Sequence, residues 1–272
     1  MSIQVVAVFA AVLLAWTVSR LVAKRLPDTA SKAASGMLLD AVFWGFVAAR
    51  LGYIAQWWEE YAQSPMSMIA VGDQGFSWWI GALAALAFIW WRTRSSRALR
   101  RPVLVGIAAG LLSWFAAGGV LDLLQRSAPP LPELVLATLD EQPVVLNSYA
   151  GRPVVLNLWA SWCPPCRREM PVFEQAQAQH PDIAFVMVNQ GESARQARAF
   201  LESQGLKLKD VLLDPSSLTM KTMASRGLPT TLFFDEQGRL VDAHLGELTM
   251  ASLKDTMSRR FARTQPIRTD KK

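Results

Sequence analysis

The hydrophobic pattern of the chain changes near residue 126. Before it, apolar residues run almost unbroken over long stretches, and beyond it short apolar runs alternate with amphipathic segments. Four apolar stretches precede the change: Ile3–Val22, Gly36–Trp58, Gly75–Trp91 and Pro102–Leu124. Their lengths of 17 to 23 residues suit a hydrocarbon layer ~30 Å thick, so they are expected to be four transmembrane helices. In the first, no Lys or Arg precedes Arg20 and no small-residue cleavage site stands out, which fits an uncleaved membrane helix better than a signal peptide.

The second half reads differently. "VVLNLWA" (Val154–Ala160) and "IAFVMVN" (Ile183–Asn189) are apolar runs suited to buried strands. Helices are expected over Pro164–Gln179, over Ser193–Gly205 behind a capping serine, over Ser217–Gly227 and over Leu248–Ala262. Thr230–Leu245 reads as two strands joined at Asp235–Gly238. Strands alternating with helices imply α/β layering around a central sheet. The expected organisation is a membrane domain at 1–125, a proline-rich linker at 126–135 and an extracytoplasmic domain at 136–272.

Charge sets the direction of the helices. The formal net charge is +6, but residues 1–128 hold 11 Lys/Arg and 6 Asp/Glu, whereas residues 129–272 hold 17 and 16. The excess lies in the apolar half, so no nucleic-acid footprint is expected. Lys24, Arg25 and Lys32 follow the first span, and Arg92, Arg94, Arg97, Arg100 and Arg101 follow the third. The loop after the second carries Glu59, Glu60 and Asp73 and no Lys or Arg. The positive-inside rule puts the N-terminus and the C-terminal half outside the cytoplasm. Asp40 and Arg50 fall within the second span, where ionisable groups invite a functional explanation. Ten residues of helix, about 15 Å, separate them, which argues against a direct pair.

Both cysteines lie in "NLWASWCPPCRREMP" (Asn157–Pro171), as Cys163 and Cys166. Two cysteines make no disulfide framework, but as C-x-x-C they can form one reversible bond. Zinc needs four ligands, and the only histidines are His180 and His244, 64 residues apart, so no metal and no cofactor are expected. Inert packing does not suit cysteines among tryptophan, prolines and charges at a helix start. There the free N–H groups and the helix dipole stabilise a thiolate, the attacking species in disulfide exchange. Cys163 is expected to attack, and Cys166, one turn on, to resolve the mixed disulfide. Pro164 and Pro165 suit a first helical turn. Glu169 shares the helix face of Cys166 and is placed to exchange its proton. Trp162, directly before Cys163, is expected to be exposed and to face substrate, and Trp159 to pack. His180 and His244 receive no catalytic role.

These residues carry a family resemblance. "GRPVVLNLWASWCPPCRREMP", "LLDPSSLTMKTMASRGLPTTLFFDEQGRLV" and "HLGELT" resemble the TlpA/ResA-like extracytoplasmic thiol–disulfide reductases over about residues 131–262. The resemblance implies a thioredoxin fold, so the fold class is an α/β thioredoxin fold preceded by an all-α four-helix transmembrane region. It implies a functional acid at Glu169, where thioredoxin's own buried acid position is Asn157. It also implies a cis Pro229 facing the cysteines, with Pro229 and Thr230 beside the path of a substrate strand. Membrane tethering, a separate thiol-relay membrane protein as reductant and exported cysteine-containing apoproteins of the cytochrome c or copper-site type follow from the same resemblance. The setting is then a bacterial inner membrane with the C-terminal domain in the periplasm.

"LLDAVFWGFVAARLGYIAQWW" followed by "GFSWWIGALA" resembles part of the prolipoprotein diacylglyceryl transferases. That family's histidine position falls on Trp79, which points to a scaffold rather than to transferase chemistry. Three readings stand at this level: a tethered disulfide reductase (or, in the reverse direction, an oxidant or isomerase), a lipid-modifying membrane protein with an accessory thioredoxin domain, and a redox-inactive binding module.

Overall fold

A computed structural model describes residues 3–24, 28–69, 71–94, 97–125 and 130–261. Arg25, residues 126–129 of the proline-rich stretch and residue 262 of the last expected helix lie outside them. The chain divides into two compact units, one of residues 1–59 and 75–127, the other of residues 60–74 and 128–272.

The first unit is built from α1 (Ile3–Ala23), α2 (Asp28–Gln56), the start of α3 (Trp58–Gln63), α4 (Trp78–Thr93) and α5 (Arg97–Gln125). α1 packs on α5 and α2 on α4. Both pairs close over glycines. A Cβ added at Gly81 would lie 2.7 Å from the Gly45 carbonyl oxygen, and one at Gly106 would lie 2.7 Å from that of Ala15. Small residues thus let the backbones touch. α2 starts eight residues before the expected span, because "DTASKAAS" is helix-compatible but carries no apolar stripe. Among the described residues two helical stretches, Gly36–Gln56 and Leu99–Gly118, are long and apolar enough to cross a membrane, and Ala10–Ala23 is a shorter apolar one. Arg50 is buried and donates from Nη1 to the Gly75 carbonyl at 2.8 Å, with its guanidinium 5.5 Å from the Phe76 ring centre. Asp40 is exposed.

The second unit is a seven-stranded sheet ordered β2-β1-β5-β4-β3-β6-β7. The strands are β1 (Val135–Thr138), β2 (Pro143–Val145), β3 (Val154–Trp159), β4 (Ala184–Gln190), β5 (Val211–Asp214), β6 (Thr230–Phe234) and β7 (Leu240–Leu245). β3, β4 and β5 are parallel, and β6 runs antiparallel between β3 and β7. The helices are α6 (Pro164–Gln179), α7 (Ala194–Ser203), α8 (Leu218–Thr222) and α9 (Met250–Phe261). This is a thioredoxin-type arrangement with extra strands β1 and β2 at one edge. Successive residues of β3 feed opposite layers. Val155 and Trp159 pack with Cys163, Cys166, Met170 and Phe173, while Val154, Leu156 and Leu158 pack with Val186, Leu212 and Phe234.

Local chemistry sets the helix ends. Ser193 and Gln196 form a reciprocal capping box at α7. α8 is shorter than the expected Ser217–Gly227. Asp214 accepts from the Leu218 and Thr219 N–H groups at its start, and a left-handed Ala224 (φ 50°) lies just beyond its end. Leu131, inside the proline-rich stretch, is core, and its N–H donates to the Gly238 carbonyl at 2.8 Å. The segment 60–74 also belongs to this unit. Its buried Asp73 accepts from Tyr61 at 2.7 Å and from Thr249 at 3.2 Å, and Glu60 pairs with Lys254 at 3.1 Å.

Candidate active site

β3 delivers the chain to the cysteines and α6 begins on them. Cys163 is the N-cap of α6, its Sγ accepting from the Cys166 N–H at 3.3 Å. Pro164 and Pro165 occupy the first turn, where an absent N–H leaves no bond unmade. Cys163 and Cys166 are joined as a disulfide with Cα atoms 5.3 Å apart. Both are buried, with exposures of 3% and 0%, and Cys163 is the one that reaches solvent. Trp162 stands 67% exposed beside it, while Trp159 is fully buried with its ring 5.5 Å from that of Phe200.

Glu169, one turn beyond Cys166, points into the protein and is 0% exposed. Its Oε1 accepts from Asn157 Nδ2 at 2.8 Å and its Oε2 from the Leu248 N–H at 3.0 Å. Burial pushes its pKa up to about 8, against the opposing pull of these two donors. Glu169 thus reaches from the helix back to the strand at Asn157. Asn157 Nδ2 also donates to Thr231 Oγ1 at 3.1 Å, across the β3–β6 register that pairs the two residues. Asn157 Oδ1 is buried without a hydrogen-bond partner.

Sequence reasoning missed Glu192. It is buried two residues beyond β4, where Oε2 accepts from the Ser161 N–H at 2.7 Å and from Asn189 at 2.6 Å. Its Oε1 accepts from the Ser161 hydroxyl. A carboxylate thus grips the loop two residues before Cys163. The only local sign was an acid beside the capping Ser193, and nothing in the sequence says that it reaches Ser161.

Leu228–Pro229 is a cis peptide. Leu228 packs on the apolar cluster that contains both cysteines. Pro229 is buried, and its carbonyl accepts from the Gly246 N–H at 2.9 Å. Thr230 is buried too, its hydroxyl turned to the Gly227 carbonyl at 2.7 Å and to Ser225 at 2.8 Å. That hydroxyl closes the Ser225–Thr230 turn internally. His180 caps the end of α6. His244 is buried on β7, and burial lowers its pKa.

A thioredoxin-type sheet with a disulfide at the N-terminus of the helix after β3, backed by a buried acid, defines a thiol–disulfide oxidoreductase. The Redoxin family model matches residues 126–256, and the prolipoprotein diacylglyceryl transferase model matches residues 4–118. "Thioredoxin-like protein YneN" of Bacillus subtilis is 34% identical over 130 residues, 46% of this chain and 75% of that protein. "Thiol-disulfide oxidoreductase ResA" of Halalkalibacterium halodurans is 28% identical over 162 residues, 58% of this chain and 92% of that protein. The solved structure of MTB DsbF in mixed oxidised and reduced forms is 27% identical, with a TM-score of 0.45, covering 51% of this chain and all of that one. The chain belongs to the thioredoxin-like thiol–disulfide oxidoreductases, with its redox domain in the C-terminal half, behind a helical region that matches the diacylglyceryl transferase model.

Proposed function

We propose that the protein is a membrane-anchored, extracytoplasmic disulfide reductase. The observation that carries this reading is the buried Glu169 carboxyl, one helical turn from Cys166, behind a disulfide whose other sulfur caps the helix. In the reduced protein the Cys163 thiolate attacks a client disulfide, forming one S–S bond and releasing one client thiolate. Cys166 then attacks Cys163 Sγ and the second client thiolate leaves. The pair has given up two electrons, and the client holds two thiols once protons are taken up. A dithiol donor reverses the change on the protein. Glu169 takes the proton of Cys166 when that sulfur attacks and returns it when the Cys163–Cys166 bond is broken. The exposed Trp162 and the half-buried Leu228, which packs on the cysteine cluster, are the surface that meets the client, and the buried Pro229 and Thr230 shape the turn beneath it.

Residues 1–125 form the membrane domain in this reading, 126–135 the linker and 136–272 the redox domain. Four spans, with the arginine-rich third loop in the cytoplasm, put the N-terminus and the redox domain outside, in a bacterial inner membrane facing the periplasm. Within the four spans there is no cysteine, so electrons arrive from a separate thiol-relay membrane protein. The clients are exported apoproteins with cysteine pairs, of the cytochrome c or copper-site type. The transferase-like helices act as scaffold, since Trp79 stands at that family's histidine position and the chain's histidines are both in the redox domain.

Trapping tests the reading. Cys166→Ser in the full chain, in native membranes, accumulates mixed disulfides with exported proteins through Cys163. Cys163→Ser accumulates none. Equal trapping by both variants, or by neither, contradicts the proposed attack and resolution roles.

A further inference from the structure

Asn157 sits where its strand faces the cysteine helix. It is fully buried, and its two ends are treated unequally. Nδ2 has two acceptors, Glu169 Oε1 at 2.8 Å and Thr231 Oγ1 at 3.1 Å. Oδ1 has no donor. A buried carbonyl without a donor is an unfavourable arrangement that proteins seldom keep. Glu169 alternates between a carboxylate, which only accepts, and a carboxylic acid, which must also donate. Its present partners, the Asn157 and Leu248 N–H groups, both donate, so they serve the carboxylate.

A half-turn of the Asn157 carboxamide changes this. Oδ1 then stands where Nδ2 stood, facing Glu169 and Thr231. The protonated carboxyl donates to it, and so does the Thr231 hydroxyl, which can act in either direction. We propose that Asn157 is a positioning residue for the proton step, a two-ended amide whose N–H face holds the Glu169 carboxylate and whose carbonyl face holds the Glu169 acid. The inference rests on the proton-carrying role proposed above for Glu169. No new bond or oxidant enters: the two electrons pass between the cysteine pair and a dithiol, and the proton moves between Glu169 and Cys166.

Burial raises the Glu169 pKa and the Asn157 donor acts against that rise, so loss of the donor is expected to raise it further. The test is redox-difference infrared spectroscopy on the full chain in detergent micelles, cycled with dithiothreitol across a pH series. The Glu169 carboxyl band is identified by its loss in Glu169→Gln. Asn157→Leu removes the donor, and the titration midpoint of that band rises so that the acid weakens about tenfold or more. Asn157→Asp keeps the shape and adds a like charge, and it moves the midpoint in the same direction. Isotope-labelled asparagine gives a side-chain amide band in the wild-type difference spectrum that both variants lose.

Should one variant fail to show wild-type-like cooperative unfolding, the other decides the matter. An unmoved midpoint in a folded variant overturns the proposal, as does the absence of an asparagine band in the wild type. If instead Glu169→Gln removes no band at all, the proton role of Glu169 itself falls, which is a separate result.

Discussion

Asn157 and Glu169 face each other at 2.8 Å, one on the strand that leads into the cysteines and the other on the helix that leaves them. The contact joins the two elements that hold the disulfide and places a titratable carboxyl in the apolar layer that contains Cys166. Its neighbour Leu248 closes the other side, from the loop before α9. The acid is therefore enclosed by three separate parts of the redox domain and shielded from bulk solvent.

Glu169→Gln keeps the shape and removes the proton. The rate of disulfide exchange with a model disulfide substrate falls about a hundredfold at neutral pH. Wild type is expected to show an inflection near pH 8, where burial places the Glu169 pKa, and Glu169→Gln is expected to lack it. Stopped-flow tryptophan fluorescence follows the exchange, with Trp159 and Trp162 beside the site. An unchanged profile would remove Glu169 from the reaction.

The same group couples stability to pH. Its folded-state pKa is raised from 4.5 to about 8, so the folded protein binds more proton than the unfolded chain between those values. That stabilising contribution is complete below pH 4.5 and is lost as pH rises toward 8, at most about 1.4 kcal/mol per pH unit. Denaturant midpoints of the oxidised protein, compared with those of Glu169→Gln, give a difference that declines over that window and is flat above it. A difference that grows with pH contradicts the assignment.

Glu192→Ala leaves the half-buried Ser161 donors and the buried Asn189 donor unmet, which destabilises the redox domain by about 2–3 kcal/mol. Thermal unfolding reads this directly. Because Ser161 lies two residues before Cys163, the variant also exposes the site, and the rate of reduction by dithiothreitol rises. Glu192→Gln retains acceptor and shape and recovers part of the stability.

Much of this was legible in the chain. C-x-x-C with two prolines marked the start of α6, the capping Ser193 marked the start of α7, and the turn at Asp235–Gly238 marked the β6–β7 hairpin. Other features were not, for physical reasons. β1, β2 and β5 are only three or four residues long, too short for a period to declare itself, and they exist because the sheet supplies their hydrogen bonds. The Glu192–Ser161 and Glu169–Leu248 bonds span 31 and 79 residues, distances over which no local pattern reports. The segment 60–74 looked like a plain acidic loop, yet its Asp73 is buried against Tyr61 and Thr249. Asn157 was visible as a departure from thioredoxin's buried acid, but its hold on Glu169 needed the folded register.

The reduction potential of the Cys163–Cys166 pair sets the direction of electron flow. The full chain in detergent is equilibrated against a dithiothreitol or glutathione series and the thiols are counted by alkylation. A reductase supplied by a membrane relay is expected to show a reversible two-electron couple near or below about −270 mV, the thioredoxin value. A value near about −120 mV would mean a donor of disulfides and would contradict the reductase assignment.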